Sequence, residues 1–78
     1  MEHLDKVNIY NTIDKLFEEG IHINYWYIST KREWTGDIRY AHSNYIMYKL
    51  KYTNSDKYII LNDLINMYNA NQKSINRR

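Results

Sequence analysis

The sequence predicts an α+β fold in which one helix is followed by a four-stranded antiparallel meander and a second helix. Three observations predict it. Apolar residues recur with helical spacing near the start of the chain, alternate with a period of two in its middle, and return to helical spacing after residue 61. We expect residues 1–70 to form a single two-layer domain with both helices on one face of the sheet. Residues 71–78 are too polar to pack, and we expect this tail to fray.

The first helix carries both a start signal and a stop signal. Asp5 is a typical N-cap residue, and Leu4 before it is placed to contact Ile9. Gly20 is suited to end the helix in the left-handed conformation. The predicted apolar stripe between these signals consists of Ile9, Ile13, Leu16 and Phe17.

Four strands are predicted between the helices from alternation and from turn residues. Residues 21–28 form the first strand, because β-branched and aromatic side chains alternate there. The next strands are predicted at residues 38–41, 45–52 and 57–61. The turns between them are a Thr-Gly-Asp sequence at 35–37 and two polar segments at 42–44 and 53–56.

The second helix is predicted to begin at Asn62, a residue type favoured at the N-cap, with Asp63 complementing the helix dipole. Its predicted apolar stripe is Leu61, Leu64, Ile65 and Tyr68.

Composition excludes several classes of protein. The chain has no Cys, so it holds no disulfide and no thiolate zinc site. Its three His residues are scattered, and neither Gly belongs to a phosphate-binding loop, so we expect no metal, no cofactor and no catalytic residues. We therefore expect a protein that is not an enzyme. The sequence contains no membrane-spanning apolar run and no signal peptide, which favours a soluble protein of the cytoplasm.

The net charge of +2 is unevenly distributed along the chain. Residues 1–20 carry five acids and two bases, whereas residues 21–52 carry five bases and two acids. The predicted sheet is thus the basic part of the molecule.

Aromatic residues are too numerous for the interior of so small a domain. Twelve of the 78 residues are aromatic, nine of them Tyr, and a chain of this size buries only about 60% of its surface. Some rings must lie outside, where exposed apolar area marks contact surfaces. If Ile46, Tyr48 and Leu50 face the core, the residues that face outward are Trp26, Arg39, Tyr45, Met47, Lys49 and Lys51. A second candidate contact is the predicted loop that contains Lys31, Arg32 and Trp34.

These residues leave several interpretations open. In size and composition the chain resembles the small proteins of phages and plasmids from low-GC hosts, including anti-CRISPR proteins. That resemblance implies a protein that docks on a host protein and blocks it, and a host protein that handles nucleic acid is one such target. The alternatives are direct binding of single-stranded or structured nucleic acid by the basic, aromatic face, a homodimer that covers the rings, and rings that only pair across strands.

Overall fold

The computed structural model of the chain describes residues 5–76. Its elements in chain order are α1 (Lys6–Glu18), β1 (Ile21–Ile28), β2 (Glu33–Tyr40), β3 (Ile46–Lys49) and α2 (Lys57–Asn76). The three strands form an antiparallel sheet in the order β1-β2-β3. The predicted α+β class is confirmed, but the described residues form three strands and not four.

Helix α1 begins and ends where local signals place its ends. The Asp5 carboxylate accepts a hydrogen bond from the Asn8 backbone N–H at 2.9 Å, as an N-cap does. Gly20 has a φ of 91° and donates its N–H to the Phe17 carbonyl, which is the expected left-handed ending. Ile9 and Leu16 are buried, whereas Phe17 is 51% exposed and does not join the core. The predicted contact of Leu4 lies outside the described residues.

The first hairpin turns six residues earlier than the sequence predicts. Strands β1 and β2 pair from Ile21 opposite Tyr40 to Ile28 opposite Glu33, and residues 29–32 connect them. Arg32 adopts the left-handed conformation, with a φ of 53°, at the end of this loop. The predicted turn at 35–37 is therefore wrong, because these residues lie in the middle of β2.

Gly36 serves the packing of α2 on the sheet. A Cβ atom at this position would lie 2.8 Å from Cδ1 of Leu64 and 2.5 Å from the Asn24 carbonyl oxygen. The missing side chain lets α2 approach β2 closely, which is the other common use of glycine in a strand.

Strand β3 is short and irregular. Tyr48 lies opposite Ile38, but the next pair joins Ile46 to Arg39, so the register shifts by one residue at Met47. This bulge reverses the predicted orientation of two side chains. Met47 packs against the core and Ile46 is 41% exposed, whereas the sequence predicts the opposite.

The predicted fourth strand is the beginning of α2. The Asp56 carboxylate accepts a hydrogen bond from the Tyr58 backbone N–H at 2.9 Å and thereby caps the helix. Asn62, the predicted cap, is instead buried within the helix at 4% exposure. Ile60 extends the apolar face of α2 toward the N-terminus of the helix. Residues 57–61 are helical rather than extended because this face packs on the sheet.

A single cluster of buried residues joins the sheet to both helices. It contains Ile9 and Leu16 from α1, three isoleucines of β1 and β2, Leu50, and four residues of α2: Ile60, Leu61, Leu64 and Ile65. Both helices therefore lie on the same face of the sheet, as predicted. Helix α2 continues to Asn76, within the segment for which the sequence predicts a polar tail. Neither helix of the described chain is long and apolar enough to cross a membrane.

We predict that Gly36→Ala destabilises the fold. The added methyl group collides with a backbone oxygen and with Leu64, so either β1 or α2 must move. Overpacking of this kind costs about 1–3 kcal/mol. Urea unfolding measures the change, and Thr30→Ala in the exposed hairpin loop is the control. An unfolding free energy for Gly36→Ala within about 0.5 kcal/mol of wild type would contradict the proposed packing role.

Candidate functional site

The sheet face opposite the helices carries a mixture of polar, basic and aromatic side chains. In β1 and β2, residues alternate between the two faces, and Ile23 and Ile38 point to the core. We call the opposite side the outer face. Its members from the first two strands are His22, Asn24, Trp26, Ile28, Glu33, Thr35, Asp37 and Arg39, and Ile46 and Lys49 join them from β3.

A buried carboxylate lies at the centre of the outer face. Asp37 is 1% exposed and accepts two hydrogen bonds from Arg39, from Nε at 2.9 Å and from a terminal guanidinium nitrogen at 3.1 Å. Asn24, directly opposite on β1, donates a third at 3.3 Å. The hydrogen bond to Asp37 raises the pKa of Arg39 and fixes its guanidinium. Arg39 thus neutralises the one buried acid of this face.

A groove opens beside this network where the chain leaves the sheet. Leu50 donates its N–H to the Gly36 carbonyl, and Asn54 exchanges two hydrogen bonds with the backbone of Trp34. Residues 51–53 form an arch between these two contacts, because they span a single residue of β2, Thr35. The groove has a volume of about 440 Å³ and is lined by Lys31, Thr35, Lys49, Leu50, Lys51, Tyr52 and Thr53.

The charge of this groove is positive. Three of its seven lining residues are lysines and none is acidic. Within residues 5–76, none of these three lysines forms an ion pair with a carboxylate; the ion pair found there joins Arg39 to Asp37. Two acids that contact lining residues of the groove accept hydrogen bonds from them: Glu33 from the Thr53 hydroxyl and Asp63 from the Tyr52 hydroxyl. The lysine ammonium groups are therefore available to an anionic ligand.

Tyr52 links the groove to α2. Its hydroxyl donates a hydrogen bond to the Asp63 carboxylate at 2.6 Å. Burial of the hydroxyl, together with this hydrogen bond and the negative charge of Asp63, raises the pKa of Tyr52 to about 12. The phenol consequently remains protonated near neutral pH. Thr35 fixes the opposite side, because its hydroxyl donates to the Tyr52 carbonyl at 2.9 Å.

Five of the nine residues predicted to bind a partner lie together. Trp26 is 36% exposed on the outer face, and its neighbour across the strands is Thr35, which lines the groove. The other four are Lys31, Arg39, Lys49 and Lys51. Arg32 is exposed in the adjoining hairpin loop. The sheet therefore combines one indole ring with several cations.

The other three predicted residues lie elsewhere. Met47 packs against the core because of the bulge. Tyr45 is 67% exposed, but its ring lies against Tyr40, at a ring-centre distance of 5.8 Å, on the side of the helices. The expectation that Met47 and Tyr45 share a face with Trp26 is wrong. Trp34 lies in β2 and not in a loop, which also corrects the prediction.

Trp34 belongs to an aromatic cluster at the helix side of the sheet. Its ring centre lies 5.2 Å from that of Tyr27 and 6.2 Å from that of Tyr25. The Lys57 ammonium sits 5.4 Å above the Trp34 ring and 5.2 Å above the Tyr58 ring. These contacts stabilise the start of α2 through cation–π attraction, so the chain itself already provides partners for Trp34.

The predicted surplus of rings is confirmed, but the exposed rings do not form one patch. Seven aromatic side chains are at least 36% exposed, and they are spread over α1, the sheet and the segments that flank β3: Tyr10, Phe17, Trp26, Tyr27, Tyr40, Tyr45 and Tyr52.

Sequence reasoning missed the polar part of the groove. Thr35 and Asp37 were assigned to a turn, and Tyr52 and Thr53 to a strand end and a turn. The signal that identifies them is the alternation that begins at Glu33. It places Thr35, Asp37 and Arg39 on one face when β2 begins at Glu33 rather than at Ile38.

The comparisons with known proteins add no family to this geometry. No protein-family model, no curated protein and no solved structure matches the chain. Among the residues that the structure describes, no three His, Asp or Glu side chains lie close enough together to hold a metal ion.

We predict that stability falls at alkaline pH because Tyr52 ionises. A raised pKa means that the fold favours the neutral phenol. The stability that the neutral Tyr52 phenol contributes is complete below the unfolded-state pKa of about 10. This stability is lost as the pH rises toward the folded-state pKa of about 12. In urea unfolding at pH 8 and pH 11.5, wild type should lose more stability with pH than Tyr52→Phe does. Tyr45→Phe is the control and should behave like wild type. Equal losses for Tyr52→Phe and wild type would contradict the assignment.

Proposed function

We propose that the protein is a non-catalytic binding module that binds single-stranded nucleic acid on its outer face. The observation that carries the proposal is a groove beside an exposed indole, with three lysines that form no ion pair with a carboxylate of residues 5–76. Lysine ammonium groups neutralise phosphates, and aromatic rings stack on unpaired bases.

The dimensions of the face fit a short stretch of one strand. Lys49 on β3 lies two strand spacings from Trp26 on β1 and two residues further along the sheet, which gives about 12 Å. One or two nucleotides cover this distance. A base on the Trp26 ring would place the adjacent phosphates toward the groove. A base within a duplex is already stacked and cannot contact the indole in this way, which favours a single strand.

The polar network supports the same ligand. Arg39 compensates the charge of Asp37, so the buried carboxylate does not repel a phosphate.

We predict salt-sensitive binding of a fluorescein-labelled 12-mer of thymidine or uridine, measured by fluorescence anisotropy. Three phosphate contacts on a single strand give a salt slope of about −2, which is a loss of about twentyfold in affinity between 50 and 200 mM salt. Lys49→Ala/Lys51→Ala should reduce the slope to about −0.7 and weaken binding at 50 mM salt by about fiftyfold, since the two salt dependences converge near 1 M. Lys6→Ala/Lys15→Ala removes the same charge from α1 and should bind almost as wild type does.

The two tryptophans allow an independent test of stacking within that experiment. Trp34→Phe leaves Trp26 as the one indole, and its fluorescence should be quenched by the oligonucleotide. Trp26→Phe leaves the half-buried Trp34, whose emission should change little. No anisotropy change with 50 µM protein at 50 mM salt would refute the proposed function.

A second candidate function is docking on a host protein, which a protein of a phage or mobile element could thereby block. Trp26 and Ile46 are exposed on the outer face, and Arg39 between them is held in place by Asp37. Tryptophan and rigid arginine are the residues that dominate many protein interfaces. Both candidates place the protein in the cytoplasm of a host cell, which suits a chain without Cys.

For this candidate we predict that immobilised protein retains one partner from a nuclease-treated lysate of a low-GC bacterial host. Retention should persist at 200 mM salt and fall at least tenfold for Trp26→Ala/Ile46→Ala, because a buried apolar contact is little screened. Tyr45→Ala removes an exposed ring away from the outer face and should retain the partner. Equal recovery with all three proteins would exclude the outer face as the interface.

A further inference from the structure

Strand β1 is an edge strand of unusual composition. Among residues 5–76, the order β1-β2-β3 leaves one side of β1 without a neighbouring strand. Its eight residues include no charge, no Gly and no Pro, which are the features that normally prevent an edge from pairing with another chain. The opposite edge, β3, is protected, because it has four residues, a bulge and Lys49.

The backbone groups that face this open side can be identified from the register. Gly20 accepts a hydrogen bond from the Ala41 N–H, so even-numbered positions of this strand bond to β2. The hydrogen bond of Gly36 supports this assignment. Gly36 lies opposite Tyr25, but its carbonyl accepts from Leu50 on the β3 side and not from β1. The odd-numbered residues of β1 therefore direct their N–H and C=O groups away from β2.

Only the second half of this edge is accessible. Ile21 and Ile23 are 8% and 1% exposed, so their backbone groups are covered. Phe17 of α1 flanks this end, with its ring 5.6 Å from that of His22. Tyr25 is half-buried and Tyr27 is 48% exposed, which leaves their backbone groups as the open ones.

We propose that β1 pairs with β1 of a second copy of this chain, antiparallel and about a two-fold axis at Trp26. Tyr25 of each copy then exchanges two backbone hydrogen bonds with Tyr27 of the other, which gives four in total. The two Trp26 side chains lie directly opposite each other, at a non-hydrogen-bonded position where side chains are closest.

A second copy fits this edge better than an unrelated strand because the segment complements itself. The facing side chains are Tyr with Tyr and Trp with Trp, and such aromatic cross-strand pairs each contribute about 0.2–1 kcal/mol. No like charges oppose one another, because the segment is uncharged. The contact is short, so we expect a weak dimer that forms between micromolar and millimolar concentration.

The pairing would produce one six-stranded sheet with both outer faces on the same side. Two indoles would lie at its centre, and the lysine groove of each copy would lie beyond β2. The β3 strands of the two copies would be five spacings apart, or about 24 Å. The dimer does not rest on nucleic-acid binding, since its contacts are backbone groups and uncharged rings.

Sedimentation from 5 µM to 1 mM protein, without nucleic acid, tests the proposal. Wild type should shift from monomer to dimer over this range, and the shift should persist at 500 mM salt. Tyr27→Lys places a charge in the open segment and should remain monomeric. Tyr27→Phe keeps the ring and should dimerise, and so should Tyr45→Lys, which places the same charge outside the edge. A monomeric wild type at 1 mM would overturn the proposal.

Amide hydrogen exchange followed by NMR distinguishes this dimer from any other. The N–H groups of Tyr25 and Tyr27 should gain protection with concentration, by about tenfold at 1 mM relative to 20 µM. The N–H of Trp26 bonds to β2 and should be protected at both concentrations. Circular dichroism should show exciton coupling between the two indoles in Trp34→Phe but not in Trp26→Phe. A dimer whose Tyr25 and Tyr27 amides stay unprotected would contradict the assignment.

Discussion

The structure depends on the close packing of α2 against β2 at Gly36. Leu64 occupies the space that a side chain at position 36 would need, and the buried residues of α2 complete the core around it. This contact fixes how closely α2 lies on β2, and just before the helix begins Asn54 joins the backbone of Trp34. Because Leu50 and Asn54 are both attached to β2, the residues between them have to arch outward. The groove is thus a consequence of how the second helix is seated.

Local signals were sufficient for α1 and for β1. Asp5 and Gly20 mark helix ends through their own chemistry, and the alternation that starts at Ile21 needs no knowledge of distant residues. The errors arose where one residue type has two uses. Gly36 reads as a turn residue, but its purpose is to make room for Leu64, which is 28 positions away and invisible to a local pattern. The residues around Ile60 suit a strand by composition, and only the Asp56 cap and the packing of the helix decide against it.

The candidate site was predictable as a face but not as a groove. Alternation placed Trp26, Lys49 and Arg39 on one side correctly. The bulge at Met47 inserts one residue into the pattern, which exchanges the orientations of Ile46 and Met47, and no sequence period announces it. The arch that brings Tyr52 and Thr53 beside Lys49 depends on tertiary contacts. The basic composition of the middle of the chain was the informative signal, since three of its five bases line the groove.

The bulge in β3 also limits how far such molecules can associate. A sheet with two regular edges can add copies without end and grow into a fibril. Here the far edge is short, displaced by one residue and followed by a segment that departs from the plane. The proposed association through β1 is symmetric and would use the same edge in both molecules, so it would stop at a closed pair. The short, bulged β3 edge with Lys49 therefore disfavours amyloid-like polymerisation of a chain rich in β-forming aromatic residues.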